Sequence, residues 1–213
     1  MNGPLAVETA VNKLEVARKH LVMAYARWTL YREIYRSGKD NIDVLNAVTG
    51  LGWGMIHDLL IDSIILDITR LLDKDGRTLS LRRIISDLDD EKTAKLLNKS
   101  LDDVADAVKI LKIHRDKRVA HFNQEIALDA RKLPSLDAKM FEDGLKRLGD
   151  LMNKLAEHLG ADCYDGYEPV TDPTGTSIVV YLRCGLQAAE LGKKAVLGEI
   201  SKEELFEEVA KLA

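Results

Sequence analysis

The chain has 213 residues and a formal net charge of −4, enough for one domain of ordinary size with an appendage. Hydrophobic residues make up 46% and charged residues 31%, which supplies a core and excludes a chain too polar to fold. The acidic balance excludes a protein that coats nucleic acid through bulk charge, so any anionic ligand must be met by a local basic patch.

Few prolines and an abundance of Leu, Ala, Lys and Glu favour helix. A first long helix is predicted from about Pro4 to Arg36, with Pro4 suited to the opening turn. Near its end Tyr25, Trp28, Tyr31 and Tyr35 recur every three or four residues and therefore share one side. Such a stripe can stack bases, but aromatic stripes of this kind more often pack, and packing is the reading adopted.

A second long helix is predicted from about Asn41 to Leu72. Its "GLGWGM" segment weakens helix propensity and would let another backbone come close. Further on, Leu60, Ile64, Asp67 and Leu71 step by 4, 3 and 4, which sets an acid, Asp67, in an apolar stripe. After "DKDG", the segment "TLSLRRIISDL" reads as a short helix capped by Ser80. The third long helix runs from about Glu91 into residues 113–123, with Ser100 and Asp103 spaced like a capping box. "ARKLP" closes the following loop, and Ser135 is expected to cap a helix reaching about His158.

Residues 160–177, "GADCYDGYEPVTDPTGTS", are linker-like. Two more helices follow, at about 177–197 and 202–212, the last opened by Ser201 with Glu204. The expected fold is all-α, an antiparallel bundle of long helices over 1–160, then a linker and C-terminal helical extension over 161–213. No apolar run approaches a membrane span, and the first twenty residues carry no apolar signal core. Cys163 and Cys184 follow no metal or redox spacing. Reduced thiols in a cytoplasmic protein are the expectation.

The third helix carries the informative pattern. Leu97, Leu101, Val104, Val108 and Leu111 step by 4, 3, 4 and 3, the spacing of a stripe that faces a packed neighbour. The same steps continue to Arg115, Arg118 and Phe122, with His114 and His121 on the flank. An unpaired buried charge is costly, so these arginines have three fates. The helix end leaves the core and its cations complement the helix dipole. Or they pair with an internal acid, for which Asp67 is the candidate. Or they line a cleft that receives a phosphate or another anion.

Within "IHRDKRVAHFN", Arg115 is followed by the polar Asp116, four more residues and His121. This resembles the Arg-polar-spacer-His motif of HEPN domains. "KRVAHFN" and the upstream "ITRLLDKDGRTLSLRRII" are similar to the abortive-infection AbiU-like branch of that superfamily, over roughly residues 20–160. The resemblance implies a helical bundle, frequently a homodimer. It also implies a metal-independent endoribonuclease that needs no cofactor and acts on RNA in phage defence or as a toxin, with an antitoxin or other regulatory partner as a further expectation. Arg115 and His121 would be the catalytic pair and Asp116 the polar companion, with Arg118, His114 and Asp67 in support. Some members are instead non-catalytic modules binding nucleotide, nucleic acid or a partner protein, and that is the alternative.

The residue types suit the chemistry. Attack by a 2′-hydroxyl on its own phosphorus needs a base, an acid for the leaving 5′-oxygen, and positive charge for the developing phosphorane. Histidine serves either proton-transfer role near neutral pH, and arginine supplies a forked, fixed charge. A two-fold dimer would bring two such motifs together. His114 is a candidate second proton carrier, though a structural histidine is the favoured reading. His57 with Asp62 makes no metal set, His20 and His158 read as surface, and Arg70 with Asp73 reads as an i, i+3 ion pair.

Overall fold

The computed structural model describes residues 4–119, 128, 133–168 and 174–212, with side chains from residue 8 onward. Helices α1 (Pro4–Tyr35), α2 (Lys39–Leu71), α3 (Leu81–Ser86), α4 (Glu91–Ala107) and α5 (Lys109–His114) come first. A π-helical turn (Arg115–Val119), α6 (Ala138–Leu159), α7 (Gly175–Val196) and α8 (Lys202–Ala210) follow. The described residues contain no strand. The fold is an all-α helical bundle, as the periodicity predicts.

Helix starts follow local chemistry. Ser80 accepts from the Arg83 N–H, and Ser201 and Glu204 form a complete capping box. Two starts differ from expectation. Asp137, not Ser135, caps α6, and Thr174 caps α7, so α7 begins earlier than the sequence pattern suggests. Gly160, at φ 68°, ends α6 in the left-handed conformation that glycine adopts without strain.

The chain divides into two compact units, Met1–Trp28 with Leu60–Pro169, and Thr29–Leu59 with Val170–Ala213. Residues 29–59, assigned to the bundle by the sequence pattern, thus cluster with the C-terminal segment. In the first unit, α1 buries Ala10, Leu14, Ala17, Leu21, Ala24 and Trp28. α6 buries Phe141, Leu145, Leu148, Met152 and Leu155, and α4 buries Leu97, Leu101 and Val104. All three use the 4-3 alternation of mutually packed helices. Trp28 stacks on Phe141 at 5.0 Å between ring centroids.

The third long helix is not continuous. It breaks at Val108 (φ −107°, ψ 18°) between α4 and α5. The break closes against Gly144 of α6, where an added Cβ would lie 2.7 Å from a Val108 methyl. The linker-like segment is also more ordered than its composition implies, at least over its first part. The Asn153 amide donates to the Tyr164 carbonyl and accepts from the Tyr164 N–H and the Tyr167 hydroxyl. Buried Arg18 donates to the Asp162 carbonyl at 2.5 Å and lies 4.4 Å from the Tyr164 ring centre. Tyr25 stacks on Tyr167.

In the second unit Ile34, Leu45 and Val179 are buried. Tyr31 and Tyr35 cluster with His57, and the Tyr35 hydroxyl donates to the Trp53 carbonyl. The four aromatic residues of the α1 stripe therefore pack. The glycines of "GLGWGM" do not receive a neighbouring backbone. Gly50 and Gly52 meet only the Asn46 and Thr49 side chains, and Gly54 meets nothing within 4 Å. α2 kinks there instead, at Thr49 (φ −167°, ψ 96°).

Candidate active site

Past Leu111 the inward positions depart from the sequence steps. The sequence steps carry the apolar seam from Leu111 to Arg115. In the structure the next buried position is His114, three residues on, and Arg115 and Arg118 are half-buried at the rim. Both lie on the π-helical turn, which is wider than an α turn, and such turns recur at functional sites. The arginines stay in reach of water and ligand instead of entering the core.

His114 takes a structural place. Its Nε2 lies 2.7 Å from the Pro134 carbonyl, which can only accept, so Nε2 carries the proton. Its buried Nδ1 meets no partner among the described residues. The ring thus ties the start of the α6 approach to the end of α5.

The arginines are held by acids, but not by the expected one. Arg115 Nε donates to Asp116 Oδ1 at 2.7 Å, Nη2 lies 2.6 Å from the same oxygen, and Nη1 is 3.7 Å from Asp73 Oδ2. Arg118 Nη2 bonds Asp62 on α2, while its buried Nε finds no acceptor among the described residues. Asp67 pairs with Arg27 of α1. The reason is helical phase. Asp67 points into the α1 side of the unit and is buried, whereas Asp62 and Asp73 reach the motif turn. Burial pushes the Asp67 carboxyl above its usual range, with Arg27, His20 and Arg70 pulling the other way. Asp73 likewise serves Arg115, and no Arg70–Asp73 ion pair forms among the described residues.

Beside Arg115 lies a cleft of about 210 Å³. Asp73, Lys74, Asp106, Lys109, Lys112 and Arg115 supply its charged lining, and Leu72, Ala105 and Val108 its apolar part. Spacing does not single out Lys74 as part of a site, nor Asp62 and Asp73 as the partners of the arginines. Lys109, Lys112 and Arg115 do recur at intervals of three, and that signal is readable in the sequence.

Two tyrosines are unsuited to proton transfer near neutral pH. Burial pushes the Tyr25 and Tyr35 phenols up to about 12. His57 lies between the Tyr31 hydroxyl at 3.2 Å and Asp58 at 3.0 Å. No group of three potential metal ligands occurs among the described residues, and no helix among them is long and apolar enough to cross a membrane. His121 and Phe122 lie outside the described residues.

Residues 8–175 match the family model described as AbiU2, an HEPN family. No curated protein matches the chain. No solved structure matches it either.

Proposed function

The chain belongs to the AbiU2 family of HEPN proteins, and on that premise we propose that it is a metal-independent endoribonuclease of abortive infection or toxin type, working as a homodimer. The observation that carries this reading is the pair of half-buried arginines on the π turn. Each presents a forked donor at the rim, and Arg118 has a buried N–H without an acceptor among the described residues. A phosphate oxygen is the acceptor that such a donor set recognises.

The reaction balances within the motif. A base, His121 of one copy, takes the proton of a ribose 2′-hydroxyl, whose oxygen forms a bond to the adjacent phosphorus. Arg115 and Arg118 bind the non-bridging oxygens as charge builds on them. The bond to the 5′-oxygen breaks, and that oxygen takes a proton from an acid, His121 of the second copy. The products are a 2′,3′-cyclic phosphate and a 5′-hydroxyl. Asp116 holds the Arg115 guanidinium through two of its nitrogens and acts as a positioning residue.

The test is cleavage of single-stranded RNA by purified protein in EDTA, with the product ends analysed. Arg115→Ala is expected to lower cleavage by about 10²–10³-fold and His121→Ala to abolish it, both with an unchanged melting profile. Binding of RNA without turnover would favour the non-catalytic module, and a metal requirement or full activity in both variants would remove the nuclease.

A further inference from the structure

The cleft beside Arg115 carries positive charge of its own. Lys109, Lys112 and Arg115 follow one another at intervals of three along α5 and the π turn, so they line one side of it. Lys74, just past α2, joins them. Lys74, Lys109 and Lys112 pair with no carboxylate among the described residues. Of the two acids in the cleft, Asp73 already faces Arg115 and accepts the Asp75 N–H at 3.0 Å. Four cations thus face two acids, on a chain whose overall charge is negative. A local excess of unpaired cations on an acidic protein attracts one class of ligand, an anion.

The size and lining narrow that class. Pockets that enclose whole small molecules run to about 300–1,000 Å³, and this cleft is smaller. Its volume accommodates a phosphate with part of its sugar. Leu72, Ala105 and Val108 carry no side-chain donor or acceptor, and Thr69 spends its hydroxyl proton on the Ile65 carbonyl of its own helix.

We infer that this cleft is a second phosphate subsite, which holds the RNA backbone one step along from the bond to be cleaved. The inference rests on the reading of Arg115 as a phosphate ligand. Lys74, Lys109 and Lys112 anchor the strand by charge alone, Arg115 sits where the row meets the reacting phosphate, and the contribution is independent of sequence. Lysine suits this role, as a point charge that adapts to a mobile backbone, while the forked arginine suits the reacting group.

The test uses the full chain and a short fluorescein-labelled single-stranded RNA. Binding is measured by anisotropy across a salt series in the His121→Ala background. Each phosphate contact on a single strand contributes about −0.7 to the slope of log K against log salt. The triple variant Lys74→Gln, Lys109→Gln, Lys112→Gln is expected to flatten the slope by about 2, for three lost contacts, and by the same amount on RNAs of different sequence. In the active background it should raise KM with kcat unchanged. The control triple variant Lys95→Gln, Lys146→Gln, Lys211→Gln removes the same charge from paired, exposed lysines elsewhere and should leave the slope unaltered. An unaltered slope in the cleft variant, or an equal loss in the control, overturns the subsite. If the wild type binds RNA with this slope difference but cleaves none, the nuclease reading falls and the subsite stands. If it cleaves RNA in EDTA and the cleft variant matches it in slope and KM, the subsite alone falls. If it binds no RNA, both fall.

Discussion

Two settings of arginine contrast within the first unit: against the packed face of α1, and on the rim made by the π turn. Arg18 is fully buried, held by Glu15, the Asp162 carbonyl and the Tyr164 ring, and it fastens the segment after α6 to α1. Arg27 meets the buried Asp67. Arg115 and Arg118 also have acidic partners, Asp73, Asp116 and Asp62, but these pairs reach solvent. Arg18 is costly to remove because its hydrogen bonds and packing are buried. A rim pair exchanges its partner for an incoming anion at much lower cost. The same side chain is thus a structural pin in one place and an available ligand in the other.

Exchanging the two settings by mutation gives the strongest tests. Arg115→Ala should lower kcat by about 10²–10³-fold, the effect of removing one transition-state donor, with thermal stability retained. Arg18→Ala should do the reverse. Loss of its charged hydrogen bonds should cost about 2 kcal/mol, a fall of roughly 4–8 °C in melting temperature for a chain of this size. Activity per folded molecule should be kept. If Arg18→Ala melts like the wild type, the distinction between pin and ligand fails.

A subtler test concerns the acid that holds Arg118. Asp62→Asn removes a competing carboxylate and should tighten RNA binding in the His121→Ala background. The salt slope should steepen by about 0.7, the value of one contact on a single strand. Weaker binding would make Asp62 a positioning residue in place of a competitor.

The smallest effect is expected at Asp67. Its carboxyl is raised above the unfolded value, so its contribution to stability is fully present below that value and is lost as pH rises through the raised one. At neutral pH the charged form is disfavoured by folding. Asp67→Asn should therefore melt no lower than the wild type at pH 7, and any advantage should shrink as pH falls through the carboxylate range. An advantage that grows on acidification would contradict the burial argument.

The same contrast marks what the sequence makes legible. Periodic burial is written in the order of residues, and the 4-3 stripe from Leu97 to Leu111 lies in the core as its spacing says. The aromatic stripe of α1 packs for the same reason. Past Leu111 periodicity fails: His114 turns inward, and Arg115 and Arg118 stay at the rim on a π turn. Which acid meets which arginine is also hidden. It depends on the phase of one helix against another, and Asp62, Asp67 and Asp73 are equally acidic in a string of letters. The segment after Gly160 has the composition of a linker, and only the fold reveals Tyr164 and Tyr167 as its anchors.

The π turn also gives the motif a dependence on chain length. Deleting one residue within 115–119 would remove the wide turn and with it the rim placement of Arg115 and Arg118. The turn behaves as a mechanical setting, kept by counting residues as well as by choosing them.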